Sequence, residues 1–276
     1  MSITAADVNK LRQITGAGMM DCKKALVEAN GDFEAAIDYL RKKGQKIAAN
    51  RADREAAEGV VVAITDNANK KGVVVRISCE TDFVAKNEDF VNFAKAIAHT
   101  ALDKYPADKD ALLQLSVDGK NIASALEEQV AKIGEKIELA QYETLEAPTV
   151  VPYIHMGYKI GVLVGLNEAA SDTIVEAGKD TAMQIAALNP IAVSKDDVPQ
   201  EVMERELRVG KEQAIEEGKP EAMAEKIAQG RLQKFFKDNT LLSQQFVKDG
   251  NLTVEQALKQ VDKGLSVTKF VRVSLG

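Results

Sequence analysis

The chain of 276 residues is 45% hydrophobic and 28% charged, values of a globular protein with room for about two folding units, which excludes a disordered chain. A formal net charge of −6 argues against a general binder of nucleic-acid backbones, and no apolar run approaches the roughly 20 residues that cross a bilayer. Two cysteines exclude a disulfide framework, and the opening segment has no apolar stretch of a secretory signal, so a reduced, cytoplasmic protein is expected.

In chain order, Thr4 with Asp7 three positions on opens a first helix in capping-box fashion, with Val8 and Leu11 on one face. Thr15 to Gly18 breaks it. A second helix is predicted from about Met19 to Ala29, with Cys22, Ala25, Leu26 and Ala29 at helical spacing and Asn30-Gly31 as its stop. Asp32 caps a third, in which Ala36, Ile37 and Leu40 form the buried stripe and Arg41, Lys42 and Lys43 suit the C-terminal end before Gly44. So small a bundle is marginal by itself. Gln45 to Glu58 reads as a solvated linker with some helical content.

Two β-branched runs follow, Gly59 to Thr65 and Gly72 to Cys79, joined by the hairpin signal of Asp66 to Lys71. A helix from about Asn87 to Leu102 carries Phe90, Phe93, Ala94, Ile97 and Ala98 as its stripe. Cys22 and Cys79 both fall in periodic apolar segments and read as reduced core thiols. The strand–strand–helix pattern then recurs at an offset of about 89 residues: GVLVGL from Gly161 matches GVVVRI from Gly72, and Ile185-Ala186 matches Ile97-Ala98. Between the two copies Asn121 to Ile133 reads as a helix, and Ala147-Pro148 closes the first copy. Gln200 to Glu217 and Glu221 to Lys237 form a helical hairpin broken at Gly218-Lys219-Pro220. In it Val202, Leu207, Val209 and Ile215 are expected to face Met223, Ile227, Leu232 and Phe236. A short strand from Lys269 ends the chain. These elements divide the chain into 1–55, 56–147, 148–194 with 239–276, and an inserted 195–238.

Reactive constellations are absent from the sequence. His99 and His155 have no second His or Cys at ligand spacing, so no metal is expected, and His99 reads as a satisfied core residue. There is no G-x-x-x-x-G-K-[ST], so any nucleotide site belongs to a partner. Gly16-Ala17-Gly18 opens like a dinucleotide fingerprint, but Asp21 stands where the third glycine is needed. No cofactor and no enzymatic activity are expected.

Two passages, TGAGMMDCKKALVEANGDFEAAIDYLRKKG from Thr15 and CETDFVAKNEDF from Cys79, closely resemble elongation factor Ts. The resemblance continues through AKIGEKIELA from Ala131, YIHMGYKIGVLV from Tyr153, GKPEAMAEKIAQGRLQKFF from Gly218 and the closing TKFVRVSLG, and so covers essentially the whole chain. It implies an α+β fold: an N-terminal three-helix domain similar to ubiquitin-associated modules, a duplicated α+β core, and an inserted antiparallel coiled-coil hairpin.

The resemblance also implies a guanine-nucleotide exchange factor that binds elongation factor Tu with GDP, displaces Mg²⁺ and opens the phosphate site so that GDP leaves and GTP can bind. Within the Thr81-Asp82-Phe83-Val84 motif, Asp82 and Phe83 correspond to family residues that enter between helices of the GTPase domain. Met19 and Met20, Ile133 and Gly134, and His155 match further family contacts with that partner. Read from the residues alone, Phe83 is a core residue opening a helix, one of Met19 and Met20 is core, Ile133 and Gly134 pack a helix end, His155 is a strand-edge histidine, and Lys23 and Lys24 are a solvated face. The chain stops short of the C-terminal helical module of longer relatives, and a homodimer or 2:2 complex stays open. A scaffold that binds proteins through its small helical domain and coiled coil, without promoting exchange, is the alternative.

Overall fold

The computed structural model describes residues 3–275; Met1, Ser2 and Gly276, which the expected domain bounds include, lie outside them. The described chain divides into two compact units, one of 3–62, 74–143 and 273–275, the other of 63–73 and 144–272.

The first unit opens with helices α1 (Ala5–Thr15), α2 (Met19–Glu28) and α3 (Phe33–Arg51). Thr4 and Asp7 complete the capping box, and the Asp32 carboxylate accepts from Ala35 N, so two of the three starts are fixed by local side chains. Val8, Leu11, Cys22, Ala25, Leu26, Ala36 and Leu40 form their common core. Gly44 does not end α3 as the sequence suggested. A Cβ on Gly44 would stand 2.8 Å from the Ala131 Cβ of helix α7 (Ile122–Ile133), so glycine lets the two helices approach, and α3 runs on through the first half of the expected linker.

Strands β1 (Glu58–Thr65) and β2 (Lys71–Cys79) form the expected hairpin, closed where Asp66 N donates to Lys71 O at 3.0 Å. Then come α4 (Asp82–Ala85), α5 (Glu88–Lys104), α6 (Lys109–Gln114), the small ladder β3 (Ser116–Val117) with β4 (Lys120–Asn121), α7, and β5 (Glu138–Glu146). The sheet order is β1-β2-β5. Helix α5 buries Phe90, Ala94, Ile97, Ala98 and Ala101. His99 lies off that stripe and is exposed, which corrects its reading as a core residue.

In the second unit β6 (Thr149–His155) pairs antiparallel with β7 (Ile160–Leu166), Val151 opposite Val164, and β10 (Val267–Ser274) lies on the other side of β7. Helix α8 (Asp172–Leu188) packs on β6 and β7 through Ile174, Ala182 and Ile185, over a core that includes Val162, Val164 and Leu166. Helices α5 and α8 are 17 residues each and end alike: Tyr105 at φ 47, ψ 55 and Asn189 at φ 45, ψ 57 take the left-handed C-cap.

Helices α9 (Gln200–Glu216) and α10 (Glu221–Asn239) pack against each other. At the base of the pair Val202, Leu232 and Phe236 pack together as expected, but toward the tip the contact is made by small residues: Gly210, Ala214, Ala224 and Ala228 are buried, whereas Val209, Ile215 and Met223 are exposed. A Cβ on Gly210 would lie 3.3 Å from the Ala228 Cα, so the backbones come close and the larger side chains are pushed outward. The ladder β8 (Gln245–Phe246) with β9 (Asp249–Thr253) and helix α11 (Val254–Val261) complete the unit. Buried Gln184 ties them to α8: its amide nitrogen donates to Gln244 Oε1 and Gln245 O, and its oxygen accepts from Val247 N at 2.8 Å.

Candidate functional site

The end of β2 sets up an unusual junction. Cys79 is buried, its thiol donates to Thr81 O at 3.2 Å, and burial, reinforced by the negative charge of Glu135, pushes that thiol up to about 12. Thr81 caps α4 by accepting from Val84 N, and Asn87, only a few residues on, caps α5 by accepting from Asp89 N and Phe90 N. Two caps in quick succession isolate a four-residue helix with no buried residue. Phe83 sits on it at 83% exposure. The reading of Phe83 as a core residue is therefore wrong, because the buried stripe begins at Phe90 on the next helix. Val84 is half-buried, and Asp82 accepts from Lys86 Nζ at 2.6 Å, a bond that holds its carboxyl below the ordinary range.

Two carboxylates that the sequence reading passed over hold this turn. Glu135 accepts Glu80 N at 3.1 Å and Thr81 N at 3.0 Å on one oxygen, and the Thr81 hydroxyl at 2.7 Å on the other. In return Glu80 accepts Lys136 N at 2.6 Å, Arg51 Nη1 at 3.0 Å and Arg54 Nη1 at 3.1 Å. The Lys136 amide is the main reason the Glu80 carboxyl sits below its usual range, with Arg54 and Arg51 adding to it. Directly before this clasp α7 ends at Ile133, and Gly134 at φ 82 donates its N–H to Val130 O. Thr81 to Val84 and Ile133-Gly134, separate in the sequence, are thus joined through Glu80 and Glu135.

Met19 and Met20 open α2, and at 52% and 74% exposure neither is core, which corrects the expectation for one of them. Helix α2 turns Cys22, Ala25 and Leu26 inward, and both methionines precede that stripe. Lys23 and Lys24 are exposed. His155, in the other unit, is half-buried at the end of β6 opposite Ile160, its Nδ1 3.0 Å from the Tyr153 hydroxyl. The neighbouring Met156 is exposed. Among the described residues no group of three or more His, Cys, Asp or Glu could hold a metal ion, and no helix is long and apolar enough to cross a membrane.

Residues 80–276 match the family described as Elongation factor TS. Proteins named Elongation factor Ts are 56% identical over the full length of both chains in Amoebophilus asiaticus, and 52% identical over 99% of both in Christiangramia forsetii. A third, from Cytophaga hutchinsonii, is 51% identical over 99% of both. The chain belongs to the elongation factor Ts family. Its role is accordingly nucleotide exchange in translation elongation. The family match contains the Thr81 turn, α7 and Glu135, and the relatives extend over α1 to α3 as well. Glu80 and Glu135 flank residues already singled out, but which carboxylate would reach which amide across more than 50 positions was not written in either segment.

Proposed function

We propose that the chain acts on elongation factor Tu by inserting the Phe83 side chain between helices of the GTPase domain of that partner. The observation that carries this reading is a large aromatic held in solvent on a helix of its own, between two caps and braced by Glu135. Burying that ring in a partner pocket gains roughly 1.5 to 3 kcal/mol, which becomes about tenfold to 100-fold in nucleotide affinity if it is realised only when the site is open. Displaced helices loosen the groups that hold Mg²⁺ and the phosphates, and GDP leaves. No bond is made or broken. Reciprocity requires GDP to weaken binding of the chain by the same free energy, so the ternary complex is transient and excess GTP completes the cycle.

Met19 and Met20, Ile133 and Gly134, and His155 serve as further contacts with the same GTPase, two adjacent exposed methionines being suited to an adaptable surface. Helices α1 to α3 act as the ubiquitin-associated-like domain, and α9 with α10 as the antiparallel coiled-coil arm. The expected division at 55, 147, 194 and 238 separates these working parts. The chain works in the cytoplasm and contacts the GTPase rather than nucleic acid.

The test is release of a fluorescent GDP analogue from elongation factor Tu in stopped flow with increasing concentrations of the chain. A saturable acceleration supports exchange through this interface. Binding without acceleration would place the protein-binding scaffold ahead of it.

A further inference from the structure

We propose that Glu135 is the positioning residue of the exchange turn: it acts through Phe83, fixing where that ring projects, and is not itself a contact. The inference rests on Phe83 being the inserted group. The Glu135 carboxylate uses both oxygens on the two residues that lead into the turn, taking Glu80 N and Thr81 N on one and the Thr81 hydroxyl on the other. Those are the donors that decide how β2 leaves its sheet and enters α4. The opposite bond, Lys136 N to Glu80, makes the connection reciprocal, so residues 80–81 and 135–136 cannot shift past one another without breaking several charge-assisted bonds together.

By itself α4 gives the ring little hold, with Val84 only half-buried. The helix is four residues long, has no buried side chain, and its Asp82–Lys86 ion pair is solvent-exposed. An aromatic on so short a helix samples many directions unless its base is tied down, and each misdirected conformer reduces the fraction of molecules ready to insert. Glu135 supplies the tie from outside the motif. Arg51 shares the Glu80 oxygen that accepts Lys136 N, and Arg54 takes the other oxygen, which anchors the same clasp to the end of α3 and the residues after it.

The proposal is tested by a double-mutant cycle in the full chain, reading the rate of fluorescent GDP release from elongation factor Tu at saturating concentrations. Glu135→Leu keeps the volume and removes the acceptors, and is expected to slow the saturating rate about tenfold or more. Glu135→Gln is expected to stay near the wild-type rate, because its amide can accept both N–H groups and donate to the Thr81 hydroxyl. In the Phe83→Ala background Glu135→Leu is expected to cost nothing further. Amide hydrogen exchange gives a second readout: Glu80 N–H and Thr81 N–H are slow in the wild type and fast in Glu135→Leu. Should Glu135→Leu not fold, Thr81→Val carries the same cycle with a smaller loss.

A wild-type rate for Glu135→Leu, or an equal loss with and without Phe83, overturns the positioning role while leaving the Phe83 reading intact. A wild-type rate for Phe83→Ala removes the Phe83 reading and the positioning role with it.

Discussion

The two strand-to-helix junctions of the molecule share a frame and differ in what they do with it. Both follow a hairpin, β1–β2 or β6–β7, and both lead to a 17-residue helix. After β7 the chain enters α8 directly: Asn167 donates to Ser266 O and Gly264 O and accepts from Ser266 N, the Thr149 hydroxyl donates to Glu168 O, and Ser171 caps the helix. These bonds all stay within their own unit. After β2 an extra helical turn is interposed, and the polar groups instead hold an exposed phenylalanine. The hairpin and helix are a scaffold that either junction can occupy, and function resides in the few residues between them.

The contrast is broken most severely by Phe83→Ala, expected to lower the saturating exchange rate about tenfold to 100-fold without changing the unfolding temperature, because the ring is exposed in the free chain. Circular dichroism melting beside stopped flow checks both halves. Gly178→Ala attacks the frame of the second junction instead. A Cβ there would stand 2.5 Å from Val151 Cγ2, so about 1 to 3 kcal/mol of stability is expected to be lost in urea unfolding while exchange per folded molecule is retained.

Acid separates the two junctions. Glu80 has a folded-state pKa depressed below its ordinary value of 4.5, so the stabilisation it gives is present above that value and is lost as pH falls through the depressed one. Measured against the intrinsic exchange rate at each pH, protection of the Lys136 amide is expected to fall on acidification, and that of Asn167 and Ser266, whose mutual bonds use no carboxylate, to stay. Cys22 and Cys79, both buried, are expected to resist a thiol reagent at pH about 8 in the folded protein and to react fully in denaturant. The smallest effect belongs to Lys86→Ala, which removes an exposed ion pair within α4 and its C-cap and is expected to leave the melting curve unchanged.

What the sequence made legible was local. Thr4, Asp32, Asn87 and Asn121 each announced a helix start because a cap bonds to an amide two or three residues away, and the hairpins were marked by their turn residues. Thr253 with Gln256 is another such signal, a complete capping box at the start of α11 that the reading overlooked. The misses depended on distant partners. Gly44 reads as a stop unless Ala131 is known to lie against it, and Val209, Ile215 and Met223 look like part of the α9–α10 seam until Gly210 and Ala228 bring the backbones together. For the site, the motif pointed to Phe83, and its direction into solvent followed only from the second cap at Asn87 and the clasp by Glu135. Met20 lies off the buried stripe of α2, but Met19, three residues before Cys22, falls in line with it, so helical periodicity points Met19 inward and only its place in the first turn leaves it exposed.

The central claim, that the Phe83 ring enters the GTPase, is tested most directly by photo-crosslinking. Phe83 is replaced with p-benzoylphenylalanine, the full chain is irradiated with elongation factor Tu, and the adduct is mapped by mass spectrometry. The expected result is a covalent product on helices of the GTPase domain, formed in nucleotide-free complex and suppressed by excess GDP. A stable complex that yields no adduct from position 83, or one mapped outside that domain, would contradict it.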